Sequence, residues 1–266
     1  GYDNTAIGRQ AADALTTGRY NVAMGKDALG ASTTGCFNIA LGAVALGVAD
    51  TTGIDNIAIG QNTMDALTTG ADNVAIGRDA AGATTIGCHN VAIGCGALKA
   101  ATTSADNRGQ IAIGEMAMGA SVATGSMNIA IGCAAGSVIT SGYRNVAIGL
   151  RSMLNQETGH QNVAIGQDVM QGTKCSCRNV VIGYQSMNEC DGAAQNNIFL
   201  GYNVASKVTT AQNNVMIGQC AGRLMTTGCQ NIAIGYTAMG CQTVTGIKNV
   251  AIGFEALNDC TTGTGN

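Results

Sequence analysis

The chain has 266 residues, a formal net charge of −3 and only 11% charged residues. Its 39 Gly, its lack of Pro and Trp and its 3% aromatic content exclude an ordinary globular core, which leans on large side chains for buried area. No basic stripe and no apolar run of about 18 residues occur, so nucleic-acid binding and membrane insertion have no support.

The chain is instead one repeated unit. An Asn opens each copy at Asn4, Asn21, Asn38, Asn56, Asn73 and Asn90. Gln110 replaces it once, and it returns at Asn128, Asn145, Asn162, Asn179, Asn197, Asn214, Asn231 and Asn249. The step is 17 or 18 residues, except for 20 between Asn90 and Gln110, where Ser104-Ala105-Asp106-Asn107-Arg108 reads as a small loop insertion. With the Asn as position 1, the unit is Asn-(Val/Ile)-Ala-Ile-Gly-x-x-Ala-(Leu/Met), followed by a looser Thr-Thr-Gly. The Gly at position 5 is present in all 15 units, and position 3 is Ala in 12 of them, the exceptions being Val181, Phe199 and Met216.

Alternating apolar residues at positions 2 and 4 predict one short strand per unit. The Ala-(Leu/Met) pair predicts a second apolar step, and the Gly residues at positions 5 and 15 predict turns with positive φ. Gly recurs too often for helices, and a helical period is absent. One coil cannot bury its own apolar face, but stacked coils can. The predicted fold is therefore all-β: a parallel β-solenoid (β-roll or β-helix) of about 15 coils, 17–18 residues per coil. Residues 1–266 read as a single repeat domain, an excerpt of a longer array. A hexapeptide-type helix would need three Ile-Gly-like steps per unit, where this chain has one. The Val/Ile side is expected to form the core, stacking like on like along the axis. The Ala stripe is then expected to face away and to pack closely against an opposite wall or a neighbouring chain. The Asn column (Asn21, Asn38, Asn56, Asn73, Asn90, Asn145, Asn162, Asn231, Asn249) is expected to be structural, bonding turn backbone and itself.

The unit Asn-x-Ala-Ile-Gly…Thr-Thr-Gly resembles repeats of phage and virus tail-fibre-like proteins. Its Val-Ala-Ile-Gly core, best seen at residues 21–25, 73–77, 145–149 and 249–253, is similar to the head repeats of trimeric autotransporter adhesins. The adhesin unit is shorter, so its coil shape need not transfer. The resemblance implies an extracellular, cell-surface or virion fibre that self-associates, as a homotrimer or as an end-to-end filament.

Chemistry-bearing residues are scattered. Eleven Cys include no Cys-x-x-Cys pair, so there is no zinc signature. Cys241 and Cys260, 19 apart, are the candidate disulfide between neighbouring coils, with Cys175 and Cys190 behind them. His89 and His160 read as surface residues. The acids form no fixed pair for acid–base work, so the chain reads as a non-enzyme without cofactor or metal. Tyr184, Tyr202 and Tyr236 share position 6 and are candidate contacts for cell-surface glycans, and the Thr-Thr column is a candidate ice-binding array. The leading expectation is a structural shaft or adhesive fibre segment. The alternatives are a glycan-binding surface module and an ice-binding solenoid.

Overall fold

A computed structural model describes residues 1–100, 107–121, 124–190, 192–240, 243, 245–259 and 262–265. Among them every regular element is a strand. The chain divides into two compact units, Gly1–Ser137 and Val138–Asn266.

The first unit carries β1 (Thr5–Ile7), β2 (Val22–Met24), β3 (Ile39–Leu41), β4 (Ile57–Ile59), β5 (Val74–Ile76), β6 (Val91–Ile93), β7 (Ile111–Ile113) and β8 (Ile129–Ile131). Each strand pairs in parallel with the next in sequence. The register puts like on like, as in Val22↔Ile39, Ala23↔Ala40 and Met24↔Leu41. The second unit carries β9 (Val146–Ile148), β10 (Val163–Ile165), β11 (Val180–Tyr184), β12 (Ile198–Tyr202), β13 (Val215–Ile217), β14 (Ile232–Ile234) and β15 (Val250–Ile252). Its pairing follows the same rule, from Val163↔Val146 to Ile234↔Ile252. The architecture is the parallel β-solenoid that the repeat predicts.

The strands are short because Gly ends each one. At position 5, φ lies between 125° at Gly149 and 142° at Gly183, a conformation L side chains rarely adopt. Space forbids a side chain there too: a Cβ on Gly94 would sit 2.6 Å from the Gly114 carbonyl oxygen of the next coil. The chain then runs through a compact turn with residues 7 and 9 left-handed, such as Asp27 (φ 57°) and Leu29 (φ 52°). A left-handed non-Gly residue costs roughly 1–2 kcal/mol. Burying a Leu or Met side chain returns about 1.5–3 kcal/mol, which offsets that strain at position 9. Leu29, Leu46, Met64, Leu98, Met153 and Met170 are all fully buried there. Backbone bonds between coils also run outside the strands: Leu29 N–H donates to Ala45 O (2.9 Å) and Thr16 N–H to Thr33 O (2.9 Å).

Two expectations are corrected. The first concerns the faces of the strand. The Ala at position 3 points into the coil, with Ala23, Ala40, Ala58 and Ala75 at 0% exposure. The Val and Ile at positions 2 and 4 point outward, half-buried or exposed. The coil is too narrow for two branched side chains to fill it together with the Leu or Met of position 9. Val181 at position 3 is accommodated together with Met187 at position 9, but the two coils with the largest residues at position 3 show the same volume limit. Where Phe199 stands at position 3, position 9 is Ala205; where Met216 stands there, position 9 is Gly222, whose added Cβ would meet Met216 Sδ at 2.8 Å. The second concerns the Gly of Thr-Thr-Gly. Gly18, Gly35 and Gly70 do not have positive φ. They are small because of close approach: a Cβ on Gly35 would lie 2.5 Å from Thr51 O and 2.9 Å from Asn38 Nδ2.

Candidate functional site

Each opening Asn follows a left-handed residue, such as Tyr20, Gln161 or Arg178, which turns the Asn side chain into the coil. All nine Asn named from the sequence are at most 2% exposed. Asn162 shows the pattern. Its backbone N–H and its Nδ2 both donate to Asn145 Oδ1 (3.0 Å each), and Nδ2 also donates to Ser176 O (2.7 Å). Its own Oδ1 accepts from the N–H and Nδ2 of Asn179 (3.0 and 3.1 Å). Asn21 donates in the same way to Gly35 O and Asn231 to Gly246 O. Gln110 fits the column because its longer arm still reaches Gly125 O, while its Oε1 accepts from Asn128 N–H (3.0 Å). The amide groups of Asn162 are thus used between coils, and the column is a structural spine.

The outward strand face is the most extended chemical feature of each unit. Positions 2 and 4 carry only Val, Ile, Leu, Met and Thr5, without a charge in any coil. Ile76 is 37% exposed, Met24 42% and Ile198 41%. At the usual strand separation, β1 to β8 present an apolar band roughly 34 Å long.

The position-6 tyrosines lie along an outer column, and each has one ring face stacked on a neighbouring ring. Tyr184 stacks on Tyr202 (5.4 Å, 12°) and Tyr236 on Phe254 (5.2 Å, 11°). Sugar binding by aromatics uses open ring faces; the stacking takes one face of each ring, and Tyr184, Tyr202 and Tyr236 remain 37%, 48% and 44% exposed. The Thr column is likewise engaged. The Oγ1 of Thr16, Thr68 and Thr209 donates to the carbonyls of Thr33, Thr85 and Thr226 in the next coil (2.9–3.1 Å).

Cys241 and Cys260 lie outside the described residues, as do Ser104, Ala105 and Asp106 of the expected insertion. Nine described cysteines are free, Cys175 and Cys190 among them. Burial pushes the Cys190 thiol pKa up. Among the described residues, no group of three or more His, Cys, Asp or Glu is placed to hold a metal ion.

Ionic contacts tie coils together locally. Arg151 makes a bidentate pair with the buried Asp168 (2.7 and 2.9 Å). The Asn62 amide, with help from Lys99, holds the Asp79 carboxyl below the usual range. Burial, reinforced by the charge of Asp79, raises that of Asp65. His160 is the residue whose surroundings the sequence did not disclose. It stacks on Tyr143 (4.7 Å, 2°), and its Nδ1 lies 3.2 Å from Cys177 Sγ.

Comparison with protein-family models, with curated proteins and with solved structures returned no match.

Proposed function

We propose that this chain is a non-catalytic shaft or adhesive segment of an extracellular or virion fibre, in which copies pack through their Val/Ile strand faces. The observation that carries the proposal is the uncharged apolar band at positions 2 and 4, half-open to solvent on strands whose other face is fully buried. Parallel sheets are normally covered on both faces, and long contiguous apolar patches mark interaction surfaces. A second copy is the occupant that fits best. It has the same coil rise, so branched side chains interdigitate coil by coil, and neither surface brings a charge that would be stranded. The resemblance to tail-fibre and adhesin-head repeats favours three copies. The corrected orientation moves the expected chain–chain contact from the Ala stripe to the Val/Ile face.

The test is the particle mass by light scattering, for the natural chain and for the double variant Ile76→Glu/Ile93→Glu. Both side chains point outward, so the coil interior is untouched. The expected result is a discrete trimer that the variant dissociates. A natural chain that runs as a monomer at micromolar concentration overturns the proposal.

A further inference from the structure

Two residues before each Asn, the side chains form another column, held by isolated parallel bridges such as Cys177↔Gln195 and Gln212↔Cys229. Four of the cysteines occupy this column: Cys36, Cys88, Cys177 and Cys229. Their local geometry is nearly the same. Each Sγ lies near the carbonyl oxygen two residues earlier, at 3.4, 3.6, 3.5 and 3.3 Å respectively. What differs is the residue one coil before. It is Arg19 ahead of Cys36, Ala71 ahead of Cys88 and Gln212 ahead of Cys229. Ahead of Cys177 it is His160, with Nδ1 at 3.2 Å from the sulfur. Tyr143, a further coil back, lies flat on the imidazole at 4.7 Å and 2° and fixes its plane.

We infer that Cys177 and His160 form a thiol–imidazole pair that makes Cys177 form mixed disulfides with small-molecule disulfides ahead of Cys88 and Cys229, its column neighbours without a base or cation one coil before. With Nδ1 unprotonated, the Cys177 S–H donates to it, and the imidazole can take the proton as the sulfur attacks. The Cys177 sulfur then bonds to one sulfur of the incoming disulfide, and that disulfide's own S–S bond breaks. The departing thiolate recovers the proton from the imidazolium and leaves as a thiol. Atoms and charge balance without any further oxidant.

The column supplies its own controls. Cys177 is buried at 8% exposure, whereas Cys36, Cys88 and Cys229 are more open. Rates set by exposure alone would therefore rank Cys177 last of the four, and rates set by the imidazole rank it ahead of Cys88 and Cys229.

The experiment treats the folded chain with limiting 4,4′-dithiodipyridine at neutral pH and maps the modified cysteines by peptide mass spectrometry. The natural chain is expected to modify Cys177 about tenfold faster than Cys88 or Cys229. His160→Gln should abolish that preference. Gln212→His places an imidazole one coil before Cys229 and should transfer the preference there. Cys177 reacting no faster than Cys88 and Cys229, a preference that survives His160→Gln, or no gain at Cys229 in Gln212→His each overturns the inference.

Discussion

Removal of one Asn from the spine should cost far more than its size implies. In Asn162→Ala, Asn179 N–H loses its Oδ1 acceptor (3.0 Å), while Ser176 O loses one donor (2.7 Å) and keeps the other, Gln156 Nε2 (2.8 Å). Asn145 Oδ1 keeps one partner, because the backbone N–H of residue 162 still donates to it. One backbone group, the Asn179 N–H, is thus stranded in a site that water does not reach, since Asn162 is 0% exposed. A buried orphan costs about 1–3 kcal/mol, which is the expected loss. Gln161→Ala is the control: its neighbouring side chain is exposed, and its loss should stay within about 0.5 kcal/mol. The assay is urea unfolding followed by circular dichroism at fixed chain concentration, because any association adds to apparent stability. The slopes must be compared as well, since repeat proteins can unfold in parts. If Asn162→Ala matches Gln161→Ala, the spine is ornamental and the reasoning fails.

Gly94→Ala meets both a φ of 130° and a 2.6 Å clash with Gly114 O, and it should cost at least about 3 kcal/mol, read as loss of soluble folded chain. Phe199→Ala should cost about 3–5 kcal/mol through the cavity it leaves, measured by thermal melting. Conversely, Ala92→Phe should overpack its coil, and adding Leu98→Ala should recover part of the loss, reproducing the Phe199/Ala205 arrangement; no recovery would refute the volume limit. The folded-state pKa of Asp65 is raised, so its contribution favours folding below the ordinary carboxylate range and is lost as pH rises through the folded pKa. Asp65→Asn should therefore raise the melting temperature at neutral pH and narrow the gap between acidic and neutral melts.

The period, the single strand per unit and the stacking were legible because Asn and Gly recur at fixed steps and only a solenoid uses such a pattern throughout. The direction of the strand faces was not. Branched side chains are usually the buried ones, and that habit misplaces Val22 and Ile39 when the interior is narrow enough for Ala23 and Ala40 alone. The signal was nevertheless present: a position held to Ala, with Phe199 and Met216 matched by Ala205 and Gly222 in the same coils. The left-handed nodes were hidden because residues as different as Asp27, Leu29 and Tyr20 occupy them. The meeting of His160 and Cys177 is visible only once residues 17 apart are laid on one column.

The central claim is that the Val/Ile faces of several copies cover one another. Electron cryo-microscopy of the assembled particle, viewed down its axis, tests it most directly. The predicted section shows three coils around a shared centre, each turning the outward sides of its strands toward the others. A section with one coil alone, or with coils touching through any other face, contradicts it.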